Sequence, residues 1–219
     1  MKRKTWIGIL GLVAVLVAGG LFASNMGFKL NYTLNGPSGG SSGTTALSLP
    51  YNQQTNLIDA EDLINDINAG AGSSVVASVS RYLNATDGLE TYTGLTGVNF
   101  SLAPGEGYLL KTTADTNYIV VGSHDPALSV SLNGPAGGSS GTTLWSFPYH
   151  STAANAEDLI GEINTAVGSP VVASVSRYLS ATDGLETYTG LTGTNFALAP
   201  GEGYFVKVNS SASWVPSHY

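Results

Sequence analysis

The sequence predicts a β-rich α+β fold: two tandem copies of a small module, each of about six mainly antiparallel strands with one helix, behind a signal peptide or anchor. Three observations predict it. Apolar residues alternate with polar ones over short runs, as on half-buried strands. One segment per copy instead carries a helical period behind an N-cap residue. The chain also repeats itself: Val75 to Tyr108 returns as Val171 to Tyr204 at an offset of 96, with 31 of 34 positions identical.

The first residues are read apart from the modules. Lys2, Arg3 and Lys4 form a positive flank, and Trp6 to Ala23 is an almost unbroken apolar run. That is the layout of a secretory signal peptide. Cleavage is expected after Ala23, with Leu21 at −3, or after Gly20, with Ala18 at −3. The run of 18 residues is also long enough for an uncleaved anchor. Either way the basic flank stays inside, and the chain beyond residue 24 lies outside the inner membrane. The expected divisions are 1–23 for the targeting segment, 24–124 for module one and 125–219 for module two.

Within a module, Phe28, Leu30, Tyr32 and Leu34 alternate with polar residues and predict a first strand. Leu128, Val130 and Leu132 take its place in the second copy. The loop Asn35 to Thr45 follows and recurs at Asn133 to Thr143, an offset of 98, with Ala136 for Ser38. Thr45 to Tyr51 predicts the next strand, ending at Pro50. Asp59 with Asp62, and Asn155 with Asp158, predict N-caps of a helix whose apolar face is Leu63, Ile64 and Ile67, or Leu159, Ile160 and Ile163. Gly70 and Gly168 are the expected stops. Such a short helix needs a sheet to pack on. Val75–Leu83 and Leu89–Thr93 predict a hairpin around Ala85-Thr86-Asp87-Gly88. Arg81 and Arg177 interrupt neutral strands, and Glu90 and Glu186 are their expected cross-strand partners. Pro104-Gly105 predicts a type II turn before the strand Tyr108–Thr112. A last short strand holds Tyr118, or Trp214.

The strand ending Leu49-Pro50-Tyr51 and the segment Leu102-Ala103-Pro104-Gly105-Glu106-Gly107-Tyr108 carry a resemblance. So does Leu198 to Val206 in the second copy. Together they resemble a module, single or repeated, of secreted and surface bacterial proteins that ends in an L-x-P-G-x-G-Y-x-V motif. The resemblance implies export and a β-rich module, and it carries over no functional residue.

Composition excludes several functions. The 219 residues hold no cysteine, which removes disulfides, thiolate metal sites and cysteine nucleophiles. Beyond the first four residues, five basic side chains face fifteen acidic ones, a net charge of −10. Such a surface repels nucleic acid and anionic lipid. Membrane contact is expected through the N-terminal segment alone.

No motif for chemistry stands up. Gly39-Gly40-Ser41-Ser42-Gly43 and Gly137 to Gly141 match G-x-S-x-G, but a strand rather than a helix is expected after each serine. The loop also lacks the lysine of a phosphate cradle. His124, His150 and His218 have no H-x-x-x-H spacing. Asp59, Glu61, Asp62 and Asp66 lack a calcium-loop pattern and suit a helix start. Glu106 and Glu202 are expected in solvent at turn tips. The chain is therefore expected to be no enzyme and to need no cofactor and no metal.

Two functional classes remain. One is a structural surface protein. If the tail of one molecule met the start of the next as module one meets module two, the contact would propagate head to tail into a filament or layer. Phe28, Leu30, Tyr32, Leu34, Trp214 and Tyr219 are the candidate assembly or binding surface, with the chain itself as partner. The alternative is a tandem module for a glycan or another cell-envelope component, with Tyr92, Tyr108, Tyr118, Tyr188, Tyr204 and Trp214 as a sugar platform and two copies giving avidity.

Overall fold

The computed structural model describes residues 27–53, 57–123, 125 and 127–217. The expected targeting segment, His124, His218 and Tyr219 lie outside the described residues. Among the described residues the chain is β-rich, with two helices and four antiparallel sheets that fall into two similar pairs.

The first pair uses β1 (Phe28–Leu34), β2 (Thr44–Ser48), β3 (Asn52–Gln53), β4 (Val76–Leu83), β5 (Gly88–Tyr92), β6 (Gly107–Thr112) and β7 (Thr116–Ser123), with helix α1 (Ala60–Ala71). Its sheets run β1-β7-β3 and β2-β6-β4-β5. The second pair uses β8 (Val130–Leu132), β9 (Thr142–Ser146), β10 (Val172–Leu179), β11 (Gly184–Tyr188), β12 (Gly203–Val208) and β13 (Ala212–Trp214), with helix α2 (Ala156–Val167). Its sheets run β13-β8 and β11-β10-β12-β9.

Each helix starts where a side chain satisfies an orphan amide. Asp59 accepts from the Asp62 N–H and Asn155 from the Asp158 N–H, both at 3.0 Å. Gly70 does not end α1. The stop is Gly72, at φ +67°, whose N–H returns to Ala69 O. That left-handed cap is open to glycine without strain, and Gly70 lies two residues too early, still inside the helix, to provide it. Leu63, Ile64 and Ile67 face the sheet and join one apolar cluster with Leu47, Val79, Tyr108, Leu110 and the inward residues of β1 and β7. Leu159 and Ile163 do the same with Trp145, Val175, Tyr204 and Trp214 in a second cluster. Fully burying one such side chain contributes about 1.5–3 kcal/mol.

The hairpin follows the pattern of the sequence. β4 and β5 pair Arg81 opposite Glu90, and β10 and β11 pair Arg177 opposite Glu186. The Nε–carboxylate distances are 2.6 and 2.7 Å. Each guanidinium also lies about 5 Å above a phenylalanine ring, Phe100 or Phe196. The Pro-Gly turn closes as its residues dictate: Gly105 takes φ +84° and the Glu106 N–H donates to Ala103 O.

One expected strand is shorter than its pattern. β2 stops at Ser48 rather than reaching Tyr51, because the Ser48 N–H leaves its own sheet and donates to Gly201 O, 2.9 Å away. Pro50 then has no N–H to continue a ladder.

Candidate functional site

The two sheet pairs meet through strands β2, β4, β6, β9, β10 and β12. The contacts are reciprocal. Ser48 N–H donates to Gly201 O, and Ser146 N–H donates to Gly105 O. Asp183 accepts from the Ser42 N–H at 2.6 Å and its hydroxyl at 3.0 Å, and Asp87 accepts from Ser140 at the same two distances. Ser48 Oγ meets its own counterpart, Ser146 Oγ, at 2.6 Å, with both side chains fully buried. A patch in which i meets j, j meets i, and one residue meets its equivalent is isologous, and it closes on itself. The head-to-tail expectation assumed a heterologous junction. The intramolecular junction is a closed pseudo-twofold one.

This geometry gives the glycine-rich loops a task. Gly39, Gly40 and Gly43 all have positive φ, and the loop they shape presents Ser42 to the opposite module. The matched serines of the two G-x-S-x-G runs, Ser41 and Ser139, accept from the Gly43 and Gly141 N–H groups, and the serines after them bond to Asp183 and Asp87. The hydrogen bond from Tyr178 holds the Asp183 carboxyl below its ordinary value, with further help from Ser42; Tyr82 and Ser140 do the same for Asp87.

A cleft of about 450 Å³ opens beside the junction. Module one supplies the end of β4 with Arg81, Tyr82 and Asn84, and the turn carrying Glu106. Module two supplies Ser129, then β8 with buried Val130 and exposed Ser131, and Asn133 beyond it. The Asn84 carboxamide reaches across to Thr143 Oγ1 at 3.3 Å. The Tyr82 ring stands edge-on to Phe205, with centroids 5.7 Å apart. Its hydroxyl donates to Asp87.

The pseudo-twofold mate of this cleft differs at five lining positions: Asn31, Tyr32, Thr33, Ala46 and Ser180 stand for Ser129, Val130, Ser131, Leu144 and Asn84. A Cβ on Gly201 would lie 2.8 Å from the Tyr32 ring, whereas a Cβ on Gly105 would be 3.9 Å from Val130. Tyr32 donates its hydroxyl to Ser48 O and lies 5.8 Å from the Tyr118 ring, and burial pushes its pKa far up.

The residues expected to form an assembly surface sit elsewhere. Leu30, Tyr32, Leu34 and Trp214 are buried in the two cores. Phe28 is half-buried and stacks on Tyr149 at 4.4 Å. Among the described residues, β1 is the outer strand of its sheet, so it presents a backbone edge rather than an apolar face. The expected sugar platform is likewise interior: Tyr108, Tyr118, Tyr188, Tyr204 and Trp214 are buried, and Tyr92 packs against the first core. Alternation along a strand gives two faces but not which one meets water.

The acidic residues carry structural bonds. Asp66 accepts from the Tyr118 hydroxyl, and its counterpart Glu162 from Trp214 Nε1 and Ser217. Asp62 accepts from the Ile58 N–H. Glu106 and Glu202, expected in solvent, accept from the hydroxyls of Tyr108 and Tyr204. Among the described residues no group of three or more His, Asp or Glu side chains could hold a metal ion. None of their helices is long and apolar enough to cross a membrane. No protein-family model, curated protein or solved structure matches the chain.

Proposed function

We propose that the chain is an exported, non-enzymatic surface protein whose tandem modules, one small sheet-and-helix unit used twice, bind a cell-envelope or extracellular glycan. Export rests on the basic flank and apolar run of residues 1–23. The polar cleft between the modules carries the binding reading. It is bordered by carboxamide and hydroxyl groups, in a body whose other polar side chains mostly hold strands, caps and the junction together.

Non-enzymatic action is supported by the partners of the matched serines, Ser41 and Ser139, whose hydroxyl oxygens accept from the Gly43 and Gly141 N–H groups inside the loop. A nucleophile needs a base that itself is oriented by a third group.

Self-assembly into a filament or layer is the second reading. The outer edge of β1 favours it, since an unpaired strand edge can accept a strand from another chain. It needs a contact other than the one between the modules.

The test is cosedimentation of the chain lacking residues 1–23 with insoluble peptidoglycan, chitin and cellulose. The protein is expected in the pellet with at least one of them, with no sugar released into the supernatant. A protein that stays in the supernatant with all three sinks the binding reading. Release of soluble sugar sinks the non-enzymatic one.

A further inference from the structure

We propose that the cleft between β8 and the end of β4 is the binding site itself, that it takes a neutral, hydroxyl-rich saccharide of one or two rings, and that each chain holds one such site. The proposal rests on the glycan-binding reading and gives it a location, a ligand charge and a stoichiometry.

Size comes first. Small-ligand sites occupy about 300–1,000 Å³, and the cleft offers about 450 Å³. A sugar ring or two fits that volume.

Charge comes second. Arg81 and Glu106 border the cleft together, one of each sign. Arg81 Nε is held by Glu90, and Glu106 accepts from the Tyr108 hydroxyl. Neither an anion nor a cation finds an uncompensated opposite charge, so an ionic ligand would lose hydration without an equal return. Neutral hydroxyls lose less, and carboxamides and serines suit them, because each can both donate and accept. Asn84, Asn133, Ser129 and Ser131 supply such groups from both modules. The side chains of Ser129, Ser131 and Asn133 are exposed. The Tyr82 ring adds an apolar face for C–H bonds of a sugar.

Stoichiometry comes third. Near-identical modules on a pseudo-twofold axis should form two such clefts. A Cβ on Gly201 would meet the Tyr32 ring at 2.8 Å, whereas on Gly105 it would meet only Leu128 at 3.4 Å and Val130 at 3.9 Å. In module two the bulk is moved to Trp145, which stands at the position of Leu47 and packs on Trp214 at 4.8 Å. The Tyr32 ring thus fills the space at Gly201 on one side, where the smaller Val130 stands near Gly105 on the other.

The experiment is titration of the isotope-labelled chain lacking residues 1–23 with cellobiose, maltose and N,N′-diacetylchitobiose, and with glucuronate as the charged comparison. The amide signals of Asn84, Ser129, Ser131 and Asn133 are expected to shift with at least one neutral disaccharide, saturating at one ligand per chain. The surface variant S131A/N133A is expected to weaken binding at least tenfold with an unchanged melting temperature. The variant V130Y/W145L copies the Tyr32/Leu47 pair and should remove binding. Shifts with glucuronate alone, saturation at two ligands, or full binding by S131A/N133A would overturn the proposal. If the chain pellets with an insoluble polysaccharide while these amides stay still, the cleft is wrong and glycan binding survives. If neither responds, both fall.

Discussion

Ser48 and Ser146 meet on the pseudo-twofold axis, and few positions bear so directly on how the two halves join. The two hydroxyl protons serve three contacts: one serine donates to the other, and the accepting one donates onward, Ser48 to Phe147 O or Ser146 to Leu49 O. Both are fully buried, so a lost partner is not replaced by water. Ser48→Ala is expected to cost about 1–3 kcal/mol, the usual penalty for a buried polar group left unsatisfied. In urea unfolding, a double-mutant cycle with Ser146→Ala should show a coupling of about 0.5–3 kcal/mol. Strict additivity would mean that the two hydroxyls do not interact. Nothing in the sequence marks these serines: they occur in ordinary strand alternation, and their meeting joins positions 98 residues apart. Arg81 and Glu90 were legible because a hairpin brings its partners together over nine residues. The register of a hairpin is local, whereas contact between two sheets is not.

At the scale of elements, the helix exits and the docking loops matter most. Asn68, in the last turn of α1, turns its Oδ1 to the N–H groups of both Val75 and Val76, at 2.8 and 2.9 Å, and Asn164 does the same for Val171 and Val172. One side chain therefore fixes the path from helix to β4. Asn68→Ala should destabilise by about 1–3 kcal/mol and hasten hydrogen exchange at Val75 and Val76. An unchanged melting curve would contradict that role. The helix itself was legible from Asp59, Asp62 and its apolar spacing, but this clamp was not, because its acceptor serves backbone amides beyond the helix. The docking loops respond to pH. The carboxyls of Asp87 and Asp183 lie below their ordinary value of 3.8 when folded. Their contribution is thus present above that value and fades as pH falls through the lowered folded one. Protection of the Ser42 and Ser140 amides, taken relative to their intrinsic exchange rates, should fall only on acidification below about pH 4, and Asp183→Asn should move Ser42 without moving Ser140. Simultaneous loss of both would mean that the loops are not separate docks.

At the scale of the molecule, the duplication was fully legible, as was a β-rich body with one helix in each half. The relation between the halves was not. Sequence repetition is a translation along the chain, whereas the structure relates the copies by a pseudo-rotation, and identical residues serve either arrangement. That difference changes the expected assembly. A heterologous contact leaves one half-site open at each end, and an isologous contact leaves none. A module cut from its sister should therefore pair with itself: residues 125–219 alone should sediment as a dimer that dissociates on dilution, and a monomer at every concentration would weaken the reciprocal junction.

The most direct test of the closed pair is sedimentation and light scattering of the chain lacking residues 1–23 across a wide concentration range. One compact monomer is expected throughout. Ordered polymers that lengthen with concentration would contradict it, and would return assembly through the outer strand β1 to the lead.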